Sequence, residues 1–521
     1  MCYNPADMRP EAGKTGQQAF SWDYFVNSKF FYLHLFFISS ALLLRVYASY
    51  YLDIVNYPDT ETYELLALQS YNGLPVTLPT RPLGYPFFLS WIYNAFGPSR
   101  AYAVYAQHFL GAISYLLFYS ILFQIFRRKT LSALFAFAIV ISWNLMIYER
   151  AILSDFMNHF LLLLSIFIIF RYFKNGKAYL MAPLALSSVA ASSVRPTSNL
   201  FAAIVLSFLA AELLISVIKK RGLSPLKSII IYASLLVVLS AGFNLYSLRK
   251  TGFKGEPVGV LGVTMLIRTA DFIEYYSSPL HADAKAELRV MRNTYLVDYA
   301  PEYANFLMGY KFYTTMSCEM DDATRKAYAD TATSAGRFYG VHPVGPGFFN
   351  THDLLRELKC DLETIDRVVF AITREAVFSN FVPFLKSVLS NLMGFVERKP
   401  WEYRAFIASA SDGGARGLAG FLAINQSYDQ MLGNGAVSLA LTLVFIACAL
   451  AFFFLEKDKE RLKAITFLLC FILLNYLSLE VIADHPAGRY KIPFWWMQLP
   501  LLVYFIMLII SRAARKPGRP D

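Results

Sequence analysis

The sequence has few charged residues and few cysteines for a chain of 521 residues. Asp, Glu, Lys and Arg together make up 16% of the residues, whereas soluble domains usually contain about 25%. This scarcity of charge excludes a disordered chain, a coiled coil and a nucleic-acid-binding domain. The five cysteines are too few for a disulfide scaffold, and their spacing matches no metal site. No internal repeat or cleavable secretory signal is recognisable, so we expect the first apolar segment to stay in place as a membrane anchor.

Apolar and aromatic residues take the place of the missing charges. Hydrophobic residues account for 56% of the chain, Phe, Tyr and Trp for 16%, and the mean hydropathy is +0.42. A helix that crosses a bilayer needs about 20 mostly apolar residues, and its backbone groups must bond to one another because lipid offers no partner. Ten segments meet this condition: 29–52, 101–126, 131–148, 156–173, 178–194, 197–218, 228–248, 436–455, 462–481 and 492–511. The sequence therefore predicts an all-α polytopic membrane protein with about 10 transmembrane helices.

The basic residues indicate how these helices are oriented. The chain has 48 Lys and Arg against 37 Asp and Glu, a formal net charge of +11. Basic clusters follow every second predicted span, at 127–129, 171–177, 219–227, 457–463 and 512–519. By the positive-inside rule these clusters lie in the cytoplasm. We therefore expect a multi-pass protein of the inner (plasma) membrane with both termini cytoplasmic and the odd-numbered connections facing the periplasm or cell exterior.

These assignments divide the chain into four parts. Residues 1–28 form a cytoplasmic segment, 29–249 a transmembrane module whose first outer loop is 53–100, and 436–521 the C-terminal helices with a basic tail. Residues 250–435 form an extracytoplasmic domain after span seven, predicted to be mainly helical. This domain holds 19 basic and 21 acidic residues. The positive excess therefore belongs to the cytoplasmic face, where it indicates topology and contact with membrane lipids, not with nucleic acid.

Two features of the 250–435 domain have alternative interpretations. Residues 377–396 are apolar enough for an eleventh span, but that span would reverse the later basic clusters, so we interpret the segment as an interfacial amphipathic helix. Cys318 and Cys360 both lie on the oxidising side, where a disulfide between them is one possibility.

Ionisable residues gather at the predicted outer ends of the helices, where they are costly near lipid and therefore candidates for function. Asp59 has a structural alternative as the N-cap of a helix beginning at Thr60, and Arg81 or Arg195 can instead extend toward lipid phosphate. No metal site is predicted. Four connections supply the candidates: Asp59, Glu61 and Arg81 in the first outer loop, Glu149 and Asp155 before span four, Arg195 after span five, and His485, Arg489 and Tyr490 before the last span.

Two of these stretches form recognisable motifs. The first is Asp59-Thr-Glu61-Thr-Tyr63, with a helix ending at Asn72-Gly73, followed by Arg81-Pro-Leu-Gly-Tyr85-Pro-Phe. The second is Glu149-Arg-Ala-Ile-Leu-Ser-Asp155 at the start of span four. Together they resemble the GT-C superfamily of integral-membrane glycosyltransferases, especially the branch with protein O-mannosyltransferases, lipid A aminoarabinose transferase and bacterial arabinofuranosyltransferases. Arg195-Pro196 and Arg489-Tyr490 are weaker matches to the same superfamily.

The resemblance implies an inverting glycosyltransferase that moves a sugar from a polyprenyl-phosphate donor to a hydroxyl of a glycan, lipid or protein acceptor. Asp59 is then the expected general base, with Glu61 in reserve, while Glu149 and Asp155 orient the acceptor or a loop arginine. The expected phosphate ligands, which bind by charge-assisted hydrogen bonds, are Arg81, Arg195, His485, Arg489 and Tyr490. Fixed cations stabilise a departing phosphate without a metal, so no cofactor is expected to be required.

Two other functions remain open at this point. An O-antigen ligase or polymerase would rely on Arg337 and His342 of the large loop more than on Asp59. A carrier or flippase for lipid-linked sugars needs charged groups near the bilayer midplane. The ionisable residues within predicted spans are few, and most lie near a helix end: His34, Arg45, His108 and Glu212. The clustering of acids at the outer face favours the glycosyltransferase.

Overall fold

The computed structural model describes residues 29–51, 54, 60–74, 82–220, 224–251, 260–275, 280–297, 308, 362–393, 435–482 and 488–513. Within these ranges the secondary structure is helical, without β-strands. The all-α class predicted from the sequence is therefore confirmed for the described part of the chain.

Ten α-helices make up the N-terminal module. They are α1 (Lys29–Tyr51), α2 (Thr60–Tyr71), α3 (Gly84–Phe96), α4 (Arg100–Phe126), α5 (Lys129–Val140), α6 (Trp143–Glu149), α7 (Ser154–Asn175), α8 (Met181–Val194), α9 (Asn199–Ile218) and α10 (Ser224–Thr251). Local signals explain several of their ends. The Ser99 hydroxyl caps α4 by accepting a hydrogen bond from the Ala101 amide, and Gly176 ends α7 with a φ of +63°, a conformation that favours glycine.

Seven further α-helices follow in the part of the chain that the structure describes. They are α11 (Val260–Thr269), α12 (Ala282–Leu296), α13 (Leu362–Ser379), α14 (Phe381–Met393), α15 (Gly435–Leu455), α16 (Lys459–Ile482) and α17 (Gly488–Ala513). Helices α11 to α13 surround a small apolar cluster that includes Leu266, Leu288 and Ile372. The described parts of the predicted 250–435 domain are thus helical, with apolar packing of their own.

The core of the bundle lies around α4 and α7. These two helices are largely buried, whereas α1 and α10 have mostly exposed surfaces, as expected for helices that face lipid. Aromatic pairs join the C-terminal helices to this core. The rings of Phe118 on α4 and Trp496 on α17 are 4.6 Å apart at 80°, and Phe173 on α7 meets Phe467 on α16 at 5.8 Å. Each such edge-to-face pair contributes about 0.5–1.5 kcal/mol beyond area burial.

Five of the described helical segments are long and apolar enough to cross a membrane: Phe30–Tyr50, Arg100–Phe126, Ser154–Asn175, Pro196–Ile218 and Pro225–Arg249. Arg367–Ser379 and Phe381–Val388 would together make a sixth, but they are bent by 91°. The predicted interfacial helix 377–396 contains this bend, and α14 is its described part after the bend. The apolar helices make this a multi-pass membrane protein, and the larger number of about 10 spans stays a prediction.

One predicted span is interrupted in the structure. The sequence predicts a continuous helix over 131–148, but α5 ends at Val140 and α6 begins at Trp143, with Ser142 extended between them. A break leaves backbone carbonyls without helical partners, which is costly away from water. The guanidinium of Arg45 on α1 donates to the Val140 carbonyl at 3.0 Å. A buried side chain from another helix therefore stabilises the break, a partner that no local pattern reveals.

Candidate active site

The structure brings the two sequence motifs into contact at one end of the bundle. Tyr63 on α2 belongs to the first motif, and its hydroxyl lies 3.0 Å from the Ser154 hydroxyl, which opens α7 in the second motif. The ring of Tyr85 on α3 packs edge-on against Tyr63 at 5.2 Å and 89°. Together with Ala151 and Met157 these side chains form one apolar cluster. Residues of the first and second predicted outer connections are therefore packed against each other.

The close approach of α3 explains the glycine in the Arg-Pro-Leu-Gly-Tyr-Pro stretch. A Cβ built on Gly84 would lie 2.4 Å from the Ser193 hydroxyl oxygen and 2.6 and 2.7 Å from the Ser193 carbonyl carbon and oxygen. Real Cβ atoms do not approach a backbone so closely, and α8 cannot move away without disturbing its own packing. Gly84 therefore lets α3 rest directly on the end of α8, next to Arg195.

Asp155 and Arg195 form a buried ion pair at this junction. Asp155 lies in the first turn of α7, where the helix dipole favours a carboxylate, and its side chain is 2% exposed. Arg195 follows α8 in an extended conformation, as expected for a residue that precedes proline, and one of its terminal nitrogens donates to the Asp155 carboxylate. Arg195 is the more exposed partner, at 14%, so the pair presents its positive side outward.

The third predicted outer connection is anchored to the same helix. The Ser198 hydroxyl donates to the Asn158 side-chain oxygen at 2.6 Å, one turn along α7 from Asp155. Of the sequence-predicted site residues, the structure thus brings Asp155 and Arg195 together, and the hydrogen bonds Tyr63–Ser154 and Ser198–Asn158 involve residues close to them in the chain.

Tyr85 is a permanent hydrogen-bond donor at this site. Its side chain is completely buried, and that burial raises its pKa well above the usual value for tyrosine; the neighbouring groups Tyr93, Tyr63 and Asp155 act in the same direction. The neutral hydroxyl donates to the side-chain oxygen of Gln107 at 3.0 Å. It therefore keeps its proton across the physiological pH range.

Glu149 belongs to a different buried cluster. Its carboxylate is fully buried and accepts two bonds from Arg45 on α1, at 2.7 Å from Nε and 2.6 Å from Nη2. Nδ1 of His108 on α4 lies 2.7 Å from Oε2 of Glu149, the same oxygen that accepts from Arg45 Nε. Gly111 provides the space, since a Cβ there would lie 2.1 Å from a carboxylate oxygen of Glu149. The sequence groups Glu149 with Asp155, but the structure gives its carboxylate separate partners.

Sequence reasoning missed this second cluster. Arg45 and His108 are recognisable from the sequence only as ionisable groups within spans, and no pattern singles out Gln107. The available signal was energetic: a charge within an apolar helix is costly unless it is paired. An arginine and a histidine within two predicted spans therefore indicate a buried partner of opposite charge, and Glu149 directly follows a third span.

Several predicted site residues have no described side chain. Asp59, Arg81 and His485 lie outside the described residues, as do Cys318, Cys360, Arg337 and His342. Glu61 belongs to α2, and Arg489 and Tyr490 lie in the first turn of α17, but their contacts are outside the described set. Within the described part of the chain, three or more His, Cys, Asp or Glu side chains nowhere form a group that could hold a metal ion. The roles of all these residues stay predictions.

Comparison with known proteins yields structural neighbours only. No protein-family model matches the chain, and no curated protein sequence matches it either. The archaeal oligosaccharyltransferase AglB from Archaeoglobus fulgidus, solved with an inhibitory peptide and a dolichol-phosphate, is 12% identical with a TM-score of 0.44. That alignment covers 95% of this chain and 53% of AglB, so this chain spans about half the length of AglB.

A second neighbour is ArnT from Cupriavidus metallidurans, solved with bound undecaprenyl phosphate. It is 9% identical with a TM-score of 0.31, and the alignment covers 95% of this chain and 82% of ArnT. Both TM-scores are below 0.5. Both neighbours are GT-C glycosyltransferases, the superfamily that the sequence motifs resemble.

Proposed function

We propose that this protein is an inverting glycosyltransferase that moves a sugar from a polyprenyl-phosphate donor to an extracytoplasmic hydroxyl of a glycan, lipid or protein. The observation that carries the proposal is the buried Asp155–Arg195 pair at the place where the two motifs meet. A guanidinium that is oriented by a buried carboxylate and is partly exposed is suited to bind a phosphate by charge-assisted hydrogen bonds.

The proposed reaction is a single displacement at the anomeric carbon. The acceptor oxygen forms a bond to this carbon as the bond to the donor phosphate oxygen breaks, and the electron pair leaves with the polyprenyl phosphate. The acceptor proton passes to Asp59, the residue before the buried Thr60 that opens α2. Arg195 stabilises the negative charge that develops on the leaving phosphate, with Arg81, Arg489, His485 and Tyr490 as further ligands.

Asp155 has a supporting role in this scheme. Its carboxylate is engaged by Arg195 and is almost completely buried, so it orients the guanidinium while the base role falls to Asp59. Glu61 remains the reserve base because it lies one residue into α2 from Thr60.

The in-span ionisable groups support the transferase over a carrier. His34 lies 2.7 Å from the Tyr115 hydroxyl, and Arg45 and His108 both bind Glu149. Glu212 accepts from Lys463 on α16. Each of the four groups is therefore committed to a protein partner, whereas a transport path needs groups that exchange partners with its cargo.

The experiment that tests the proposal is a transfer assay in nanodiscs with a panel of labelled polyprenyl-phosphate sugars and cell-envelope acceptor fractions. Asp59→Asn is expected to lower turnover by about 10²–10⁴-fold, the usual contribution of a general base, with thermal stability near wild type. Arg195→Lys is expected to raise the KM for the donor more than it lowers kcat, because a lysine cannot form the bidentate contact.

Asp458→Asn is the matched control for this assay. Asp458 precedes α16 and accepts from the Glu460 and Arg461 amides at 3.0 and 3.2 Å, at the end of the bundle opposite the site. Asparagine is an equally good N-cap, so this variant should keep full turnover. Full turnover of Asp59→Asn would remove Asp59 as the base. Movement of the donor across liposomes without any acceptor product would replace the transferase by a carrier.

A further inference from the structure

Gln107 connects the two motifs through its side-chain amide. It lies on α4 and is completely buried. Its oxygen accepts a hydrogen bond from the Tyr85 hydroxyl at 3.0 Å. Its nitrogen donates to the backbone carbonyls of Glu149 at 2.8 Å and Ala151 at 3.0 Å. One neutral side chain thus uses both amide hydrogens and its oxygen within a single buried site.

These contacts determine which way the amide points. A flipped amide would place its oxygen against two carbonyl oxygens, which offer no proton. It would also place the amide nitrogen against Tyr85, whose hydroxyl proton would then have no acceptor there. The hydrogen-bond partners therefore fix the orientation of the amide. The Gln107 amide links Tyr85 on α3 to the turn that follows α6, and this link is called the strut below.

The turn that Gln107 holds leads directly into the helix that carries Asp155. Helix α6 ends at Glu149 and α7 begins at Ser154, so the carbonyls between them lie outside regular helix and need other donors. Gln107 supplies a donor to two of them. On the other side of the same turn, the Glu149 carboxylate is bound by Arg45 and His108. The backbone of the turn is thus held by Gln107, and the Glu149 side chain at its start is held by Arg45 and His108.

We propose that Gln107 is a positioning residue of the active site: by bonding Tyr85 and the 149–151 turn together, it sets the location of Asp155 and Arg195 relative to the first motif. This inference rests on the proposed transferase function. It does not place Gln107 in contact with substrate. A displacement of about 1 Å in a reacting assembly can cost about 10²-fold in rate, so loss of the strut should affect kcat more than donor binding.

The test compares Gln107→Leu and Gln107→Glu with the wild-type protein in nanodiscs, and with Gln124→Leu as the matched control. Gln124 lies on the same helix, part-buried, and its amide reaches only the Ser120 carbonyl at 3.4 Å. Both Gln107 variants are expected to lower kcat per folded molecule about 10–100-fold, with the donor KM changed less than about threefold. Gln124→Leu should keep wild-type values of both constants.

A double-variant comparison adds a second readout. Tyr85→Phe removes the bond to Gln107 while keeping the ring, so its effect on kcat should not add to that of Gln107→Leu, because both changes cut the same strut. Wild-type kcat per folded molecule in Gln107→Leu would overturn the proposal, and so would full additivity of the two changes.

Hydrogen exchange of backbone amides separates this inference from the proposed function. Exchange in the 150–156 segment should be faster in Gln107→Leu than in wild type and unchanged in Gln124→Leu, whether or not the protein transfers sugar. Unchanged exchange in Gln107→Leu would refute the strut. If wild type transfers no sugar from any donor, the transferase proposal fails, and the exchange result still decides whether Gln107 fixes the turn.

Discussion

Replacing Arg45 by methionine tests how much the bundle depends on its buried ion pair. Arg45 and Glu149 are 1% and 0% exposed, and the guanidinium makes two bonds to the carboxylate. It also donates to the Ala41 carbonyl at 3.1 Å and to the Val140 carbonyl, which the break between α5 and α6 leaves outside regular helix. Methionine keeps a similar length but offers no donor, so four hydrogen bonds are lost.

The expected destabilisation follows from the charge that remains. Removing one partner of a buried pair leaves an uncompensated ion and typically costs about 3–5 kcal/mol. Changing Glu149 to methionine as well removes that ion, and well-packed apolar replacements of buried pairs are often neutral. The double variant should then recover most of the lost stability. It should remain about 1–3 kcal/mol less stable than wild type, because the Val140 carbonyl and the His108 ring lose the partners that Arg45 and Glu149 provided.

The free energy of unfolding can be measured by SDS titration in mild-detergent micelles, followed by tryptophan fluorescence. Lys463→Met is the control, because its pair with Glu212 is partly exposed, with side chains 42% and 17% accessible. Such pairs contribute about 0–1 kcal/mol. Dependence on the buried pair is refuted if Arg45→Met is no less stable than Lys463→Met. It is also refuted if the double variant loses as much stability as Arg45→Met and Glu149→Met lose together when made singly.

Two further predictions concern the 53–100 connection. Gly84→Ala should destabilise the protein by about 1–3 kcal/mol and lower transfer activity, because its Cβ would meet Ser193 at 2.4–2.7 Å. The control is Gly242→Ala on α10, where a Cβ meets nothing within 4 Å. This variant should be neutral or stabilising in the same unfolding assay. Burial, and secondarily the charge of Glu64, raises the pKa of Tyr93 to about 12. The protonated Tyr93 therefore makes its full contribution to stability below the unfolded pKa near 10. As the pH rises from about 10 toward 12, the free energy of unfolding should fall by about 2–3 kcal/mol. Tyr93→Phe should flatten this part of the stability–pH curve, while Tyr102→Phe, at an exposed position, should leave it unchanged; equal slopes in wild type and Tyr93→Phe would contradict the assignment.

The helices were predictable because their signal is local. Apolar runs such as 101–126 and 156–173 correspond to α4 and α7 within two residues at each end, since a helix in lipid satisfies its own backbone and needs only sufficient apolar length. The prediction of a continuous helix over 131–148 was wrong because the break in it involves a contact between different helices. The break is stabilised by Arg45, which comes from another helix and donates to the Val140 carbonyl.

In the candidate site, too, single residues could be predicted from the sequence, whereas their partners on other helices could not. Asp155 and Arg195 were identified separately from their motifs, and the structure pairs them. Glu149 was grouped with Asp155 because the two are close in sequence, yet its carboxylate binds Arg45 and His108. Sequence proximity describes only neighbours along the chain, whereas a buried charge selects whichever opposite charge the packing of helices brings within reach.

By itself, the sequence determined the helical membrane class, the predicted cytoplasmic side and the two motifs, because hydropathy and charge distribution act on each segment independently of the rest. Only the tertiary structure decided that Arg45 pairs with Glu149 across 104 residues, that Gly84 rests on Ser193, and that Gln107 joins Tyr85 to the turn before Asp155. These choices depend on distances of about 3 Å between side chains on different helices, the range over which hydrogen bonds form, and such distances exist only after the helices have packed.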